Sequence, residues 1–221
     1  MKIDIFTLFP NSFSPLQESI ISRAVKNGLV EINIYNIRDF SKDKHSKCDD
    51  EIFGGGAGML MMVQPIYDAV MSVKTDKSRV IFPSPSGRVF SSKISKELSE
   101  NEHLIFICGH YEGIDQRAID LLGAEEISIG DYVMTGGEIP TMVMVDSLLR
   151  FVDGVITAES LDEESFSNNL LEYPQYTRPA DFMGYKVPDV LLSGNHQEIA
   201  KWRKQKSIEK TKKVRPDLLE N

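Results

Sequence analysis

The chain has 221 residues, of which 41% are hydrophobic, and it carries a formal net charge of −8. This length suits one domain, or one domain with a small addition, and the apolar content is sufficient for a substantial core. No apolar run approaches the roughly 18 residues that are needed to cross a bilayer, so we expect no membrane partner. Two cysteines, Cys48 and Cys108, are too few for a disulfide framework and indicate a reducing, cytoplasmic location.

Short apolar segments alternate with amphipathic ones along the first 150 residues. The predicted strands are KIDIFTLF, VEINIYNI, RVIFPSP, HLIFICG and EEISIG, and the first of these is interpreted as a strand rather than a signal peptide. Helices are predicted over residues 15–26, 64–73, 92–98, 114–122 and 138–151. This alternation predicts an α/β fold with a mostly parallel sheet, which general topology rules would leave unknotted.

The composition changes after this region. Residues 157–169 are acidic and polar without a basic residue, which predicts a flexible linker. The next segment, YPQYTRPADFMGYKVPDVLL, is too rich in proline for a long helix, and a helical pattern returns from Asn195. We therefore divide the chain into a large α/β domain (1–156), a flexible linker (157–171) and a small helical domain (172–221).

The last helical segment is strongly basic although the whole chain is acidic. Residues 201–215 contain eight basic residues against one acid, Glu209, and Trp202 lies among them. The overall charge argues against nucleic acid, whereas this local cluster could contact phosphates. Taken alone, such a cluster is more often a solvated helix face.

Two glycine-rich turns follow neighbouring predicted strands, at residues 109–113 and 130–137. In open α/β sheets, ligands bind beyond the carboxyl ends of strands, and glycine lets the backbone approach a ligand closely. The two turns therefore predict one small-molecule site. Neither turn, nor the glycine run at 54–58, has the spacing of a phosphate loop or a dinucleotide fingerprint, so these residues alone leave the ligand unidentified.

Several segments, in the same order, resemble signature segments of the bacterial tRNA (guanine-N1)-methyltransferases of the SPOUT superfamily. They are DDEIFGGGAGMLMM, CGHYEGIDQR, SIGDYVMTGGEIP and YPQYTRP, and the likeness extends from KIDIFTLFP to SGNHQEIAKWR. The resemblance implies a SPOUT-type sheet with a deep trefoil knot that binds S-adenosyl-L-methionine. It implies methyl transfer to N1 of the guanosine at tRNA position 37, in tRNA that carries guanosines at positions 36 and 37. It also implies a homodimer in which each active site combines residues of both subunits.

The same resemblance assigns roles to individual residues. Positions that match the family's donor-binding residues are Ser84, Pro85, Gly109, Tyr111, Glu112, Gly113, Ser128, Ile129, Gly130, Asp131, Tyr132, Val133, Met134, Gly136, Gly137 and Pro140. Arg150 matches the arginine that stabilises the guanine as charge develops, and Asp49 matches the aspartate that recognises guanosine 36. His110 stands where an arginine is common in the family, and it receives no role.

The implied general base departs from the family pattern. The family has an aspartate before a Ser-Phe pair, and the matching residue here is Glu164, whose side chain is longer by one methylene. Glutamate can accept the same proton but reaches farther. Its neighbours Asp162 and Glu163 therefore remain alternatives for the base.

Two further questions concern metals and the class of function. His45 and Cys48 lack the partners of a zinc site. The resemblance implies Mg²⁺, although the sequence contains no recognisable set of magnesium ligands. Two alternative functions remain: a catalytically silent knotted RNA-binding protein, favoured by the change from Asp to Glu, and a methyltransferase for another RNA nucleotide. The intact donor motifs argue against the silent protein, which would not need both glycine turns.

Overall fold

The apolar segments form a single parallel sheet in the computed structural model, which describes residues 1–157 and 164–220. In chain order the first seven strands are β1 (Lys2–Thr7), β2 (Glu31–Asn36), β3 (Asp49–Glu51), β4 (Met59–Met61), β5 (Ser78–Val89), β6 (His103–Ile107) and β7 (Glu125–Ser128). Five of them build the sheet in the order β2-β1-β6-β5-β7, with every neighbouring pair parallel. This confirms the α/β class and the parallel sheet.

Helices cover both faces of this sheet. The α-helices of this region are α1 (Ser19–Lys26), α2 (Val63–Met71), α3 (Ser92–Ser99), α4 (Gln116–Leu122) and α5 (Glu138–Leu149). One core cluster joins α1, α3 and α5 to the face that carries Ile3 and Phe106. The other joins α2 and α4 to the face that carries Phe6 and Ile107. Because both faces are buried, β6 is apolar along almost its whole length, and β1 is buried from Ile3 to Thr7 even at its polar residues Asp4 and Thr7.

The predicted helix over residues 15–26 is shorter in the structure. A 3₁₀ helix covers Pro10–Gln17, and α1 begins only at Ser19. Glu18 between them has an extended backbone, with φ −117° and ψ 167°. Pro15 has no N–H to donate within the first of these turns, which disfavours one continuous α-helix.

The glycine run at 54–58 joins two strands that the sequence analysis did not separate. Asp49–Glu51 pairs antiparallel with Met59–Met61, so the run is the connection of a small hairpin. The segments on either side of the run have too few residues for a clear alternating pattern, so hydrophobic periodicity did not predict these two strands.

Strand β5 is longer than the predicted segment and is interrupted by a bulge. Ile127 of β7 is aligned with both Pro83 and Arg88, so residues 84–87 lie outside the regular ladder. Gly87 allows this close approach, because a Cβ atom there would lie 2.3 Å from the carbonyl carbon of Glu126. Bulges of this kind redirect side chains beside functional sites. Here the bulge carries Ser84 to the edge of the sheet.

An ion-pair network holds the two ends of this bulge. Arg79, before it, lies 2.7 Å from Glu125, and Arg88, after it, lies 2.6 Å from the same carboxylate. Glu97 of α3 lies 2.6 Å from Arg79 and 3.4 Å from Arg88. The groups are partly exposed, so each pair contributes modestly, but together they fix the position of the bulge against β7.

The chain divides into two compact units after Ile156, and the second spans residues 157–221. Its described elements are β8 (Asp181–Phe182), β9 (Tyr185–Lys186), α6 (Asp189–Leu192), α7 (His196–Val214) and a 3₁₀ helix at Pro216–Leu219. Asn195 caps α7 by accepting hydrogen bonds from the N–H groups of Gln197 and Glu198. Most of the predicted linker, residues 158–163, lies outside the described residues.

Among the residues that the structure describes, no helix is both long and apolar enough to cross a membrane.

Candidate active site

An open pocket lies at the carboxyl ends of β5, β6 and β7. Its volume is about 180 Å³, and its mouth is open to solvent. The lining comes from the bulge of β5, from both glycine turns and from the start of α5. The lining residues are Phe82, Pro83, Ser84, Pro85, Gly109, His110, Tyr111, Glu112, Gly113, Ile127, Ser128, Ile129, Gly130, Tyr132, Val133, Met134, Thr135, Gly136, Gly137 and Pro140.

The two glycine turns are joined directly by their backbones. The N–H of Gly137 donates to the carbonyl oxygen of Gly109 at 2.8 Å, and His110 forms an antiparallel bridge with Gly136. A Cβ atom on Gly137 would lie 2.8 Å from Cα of Cys108 and 2.9 Å from N of Gly109. Only glycine permits this approach, and residues of both turns line one pocket. That this pocket is a small-molecule site stays a prediction.

The second turn begins with a local hydrogen-bonded loop. The hydroxyl of Ser128 donates to the carbonyl of Gly130 at 2.9 Å and accepts from the Gly130 N–H at 3.2 Å. Gly130 has φ +151°, and a Cβ atom there would lie 2.5 Å from the Tyr132 ring. Position 130 therefore accommodates glycine, which has no side chain, and disfavours larger residues.

The first turn is supported from the hairpin. Glu112 donates its N–H to the Met59 carbonyl at 3.1 Å, and Met61 donates to the Gly113 carbonyl at 3.0 Å. The Glu112 carboxylate lies over Gly58, where a Cβ atom would be 2.4 Å from Oε1. The last glycine of the 54–58 run thus makes room for an acid of the pocket, a role that composition did not reveal.

Glu138, a buried acid beneath the pocket, was missed by the sequence analysis. Its carboxylate accepts a hydrogen bond of 2.7 Å from the Thr7 hydroxyl, and that hydroxyl accepts from the Phe9 N–H at 2.9 Å. Glu138 also stands in the first turn of α5, where the helix dipole favours a negative charge. A signal was present, since an acid follows the glycine pair directly, but its partner Thr7 is 131 residues away.

The structure brings together fifteen of the sixteen residues that were predicted to bind the donor. Asp131 is the exception: it is exposed and does not line the pocket. Five lining residues were not predicted, namely Phe82, Pro83, His110, Ile127 and Thr135. Phe82 and Ile127 were interpreted as strand core, and the bulge is what turns this end of β5 toward the pocket. His110, to which no role was given, lies with its ring 4.8 Å from the ring of Phe9.

The predicted catalytic and tRNA-reading residues lie elsewhere in the described chain. Arg150 is the partly buried C-cap residue of α5, and Asp49 begins β3 opposite Met61. Glu164 belongs to the second unit and is partly buried. The alternative bases Asp162 and Glu163 lie outside the described residues. In residues 1–157 and 164–220, no group of three His, Cys, Asp or Glu side chains could hold a metal ion.

Both cysteines are buried, free thiols. Cys108 lies directly behind the first turn, where its sulfur is 3.3 Å from the Thr141 hydroxyl. Burial raises the pKa of the Cys108 thiol far above its usual value, and burial also raises the pKa of Cys48. A thiol that stays protonated is a poor nucleophile, so neither cysteine is suited to covalent catalysis.

The pocket combines apolar walls with exposed backbone of the glycine turns. Apolar side chains such as Phe82, Ile127 and Pro140 form part of its wall, and the glycine turns place backbone N–H and carbonyl groups around it. Sites of this type bind a ligand by apolar contact and orient it by a few hydrogen bonds.

Comparison with known proteins gives a consistent result. The family described as tRNA (Guanine-1)-methyltransferase TrmD matches residues 1–221. A tRNA (guanine-N(1)-)-methyltransferase of Ruminiclostridium cellulolyticum is 57% identical over 99% of this chain and 96% of its own length. Proteins with the same name from Clostridioides difficile and Treponema denticola are 54% and 53% identical, over 99% and 100% of this chain and 97% and 91% of theirs.

The burial of both cysteines leads to a chemical prediction. At about pH 8, a disulfide reagent such as DTNB should label neither thiol of the folded protein, because only the thiolate reacts and burial raises both pKa values. After unfolding in denaturant, both thiols should react. Absorbance measurements give the number of labelled thiols, and fast labelling of the folded protein would contradict this assignment.

Proposed function

This chain belongs to the tRNA (guanine-1)-methyltransferase family, and we propose that it transfers a methyl group from S-adenosyl-L-methionine to N1 of the guanosine at tRNA position 37. The observation that carries this proposal is the family match over residues 1–221, together with a glycine-lined pocket built from the family's signature segments. Since the substrate is tRNA, the proposed location is the cytoplasm.

The pocket suits this donor because glycine backbone forms part of its wall, and glycine lets a ligand approach the main chain closely. Gly130 and Gly137 hold positions where a Cβ atom would meet neighbouring atoms at 2.5 to 2.8 Å. In the proposal, the adenine and ribose of a bent donor are hydrogen-bonded by backbone groups of Ile129, Gly130, Tyr132 and Met134. When bound, the donor supplies an electrophilic methyl group on a sulfonium.

The remaining chemistry concerns the proton on guanine N1. The N1 lone pair becomes available only as this proton leaves, and we assign its removal to the carboxylate of Glu164. Negative charge then spreads onto the ring carbonyl, where the guanidinium of Arg150 would stabilise it. Much of the rate acceleration comes from alignment, because an in-line displacement needs little covalent help.

Recognition of the tRNA is assigned to two regions. Asp49, at the start of β3, would read the guanosine at position 36. The second unit would hold phosphates through the basic helix α7, which carries seven basic residues and two acidic ones. Because the rest of the chain is acidic, phosphate binding would be confined to the surface of this helix.

We further propose the architecture that the family implies. The sheet of residues 1–156 would contain the deep trefoil knot of the SPOUT type that the family resemblance implies. Residues 157–171 would act as a linker and 172–221 as a tRNA-binding domain. In a homodimer, the linker and small domain of one subunit would complete the active site of its partner. We assign no step to Mg²⁺, because the described residues offer no cluster of three side-chain ligands.

The substrate assignment is tested with tRNA transcripts and labelled donor. A transcript with guanosines at positions 36 and 37 should be methylated, and nucleoside analysis should find the methyl group on N1. Replacing guanosine 37 should abolish methylation, and replacing guanosine 36 should reduce it strongly. A methyl group at another nucleotide would favour the alternative methyltransferase, and binding without methylation would favour the silent RNA-binding protein.

Gly130→Val should abolish donor binding while the fold persists. The new side chain would overlap the Tyr132 ring, and residue 130 has a backbone conformation that valine rarely adopts. Gly28→Val is the matched control, because Gly28 also has a positive φ but is surrounded by open space outside the pocket. Calorimetry with S-adenosylmethionine measures both variants, and unchanged affinity in folded Gly130→Val would remove this turn from the site.

The same variant tests the composite active site. Mixing Gly130→Val subunits with Glu164→Ala subunits should restore part of the activity, since one site of each heterodimer would have an intact pocket and an intact base. Mass measurement verifies the heterodimers, and their complete inactivity would contradict shared sites.

The general base is tested by Glu164→Gln. The amide keeps the shape but takes no proton, so single-turnover methylation should slow by about 10²-fold or more, with little change in donor affinity. Higher pH should partly restore the rate, because guanine then loses its N1 proton more readily. Glu164→Asp is the matched control and should keep or raise activity. Wild-type rates in Glu164→Gln, with inactive Asp162 or Glu163 variants, would move the base to one of those neighbours.

A further inference from the structure

The second unit contains its own pocket, which the proposed chemistry does not use. It lies between the segment 173–176 and the helix α7, and its volume is about 220 Å³. A cavity of roughly 150 Å³ already admits a benzene ring. The space is therefore large enough for the ring system of one nucleobase.

Aromatic rings form its walls. Tyr176, from the YPQYTRP segment, and Trp202, from α7, have ring centroids 6.3 Å apart and planes inclined by 55°, so they do not stack face to face. Tyr176 is 49% exposed. On the same wall, the guanidinium carbon of Arg203 lies 4.8 Å from the centroid of the Tyr173 ring. The pocket thus offers ring faces and a planar cation, the groups on which unpaired bases stack.

The surroundings of the pocket carry positive charge. Ile199, Trp202 and Arg203 occupy one face of α7, at the spacing of successive helical turns. Lys204 follows directly in the sequence and is exposed. The ion pairs of the described part of α7 join its neighbours Lys201 and Lys206 to acids, which leaves Lys204 as the unneutralised cation beside the pocket. An uncovered aromatic pocket next to such a lysine fits a ligand that is both flat and anionic. RNA has this combination, whereas an apolar peptide would leave this lysine without a counter-charge.

We propose that this pocket receives one unstacked base of the tRNA, held by Tyr176 and Trp202, while lysines of α7 contact the adjacent phosphates. The inference rests on the proposed function, since it takes tRNA as the substrate. It adds a second point of base contact, away from the residues assigned to catalysis and to guanosine 36.

Stacking and phosphate contact differ in their dependence on salt. Loss of a stacking ring lowers affinity about equally at all salt concentrations, whereas loss of a phosphate contact reduces the slope of log affinity against log salt by about 0.7 to 0.9. This difference separates the role of Tyr176 from that of Lys204.

The test uses the full-length protein and an unmodified tRNA transcript. Trp202 is the only tryptophan of the chain, so its fluorescence reports on this pocket alone. We expect tRNA to quench it, and Tyr176→Leu to weaken tRNA affinity about tenfold or more with an unchanged salt slope. The matched control is Tyr185→Leu, which removes an aromatic ring that is 85% exposed and outside the pocket. Lys204→Gln should lower the salt slope, and donor affinity should be unchanged in all three variants.

Several outcomes would overturn the inference. If tRNA binds and is methylated while Trp202 fluorescence stays constant and Tyr176→Leu matches Tyr185→Leu, the base pocket is wrong and the proposed function stands. If tRNA is neither bound nor methylated, both are wrong. If the fluorescence instead changes with protein concentration in the absence of RNA, the pocket is occupied by a second copy of the chain.

Discussion

The hydrogen bond from Gly137 to Gly109 is the contact on which the pocket depends. It joins the turn after β6 to the turn before α5 at a distance that any side chain on residue 137 would prevent. Once these backbones are in contact, the start of α5 is fixed at the end of β6. The pocket between them is then formed by main chain, whose position varies much less than that of long side chains.

Buried polar groups reinforce the same arrangement from below. Glu138 reaches from α5 to the hydroxyl of Thr7 on β1, which in turn accepts from Phe9. A buried carboxylate is costly unless its oxygens are hydrogen-bonded, so this contact specifies where the helix begins as well as stabilising it. On the other side of the pocket, the pairs of Arg79 and Arg88 with Glu125 fix the bulge that carries Ser84. The floor of the pocket and its rim are therefore held by different elements.

Basic residues are concentrated on one helix of the second unit, and this suits a division of tasks. The chain has a net charge of −8, yet α7 alone carries seven basic residues against two acids. A uniformly basic protein would bind RNA nonspecifically through many phosphates. Confining the positive charge to one helix limits this binding to a small part of the surface. Tyr176 and Trp202 lie on that part, where phosphate and base could be contacted together.

The amino-acid sequence by itself determined the elements whose signals are local. Short apolar segments predicted the strands β1, β2, β6 and β7, and the motif segments indicated which turns build the pocket. Tertiary structure decided what depends on distant partners. The hairpin pairs two segments, β3 and β4, that are too short to show a hydrophobic period. The bulge in β5 is defined by pairing with β7, where Ile127 aligns with both Pro83 and Arg88. Gly58 leaves space for the carboxylate of Glu112. Glu138 accepts a hydrogen bond from Thr7, which lies 131 residues earlier in the chain. No local pattern relates such pairs, because only packing in three dimensions brings them together.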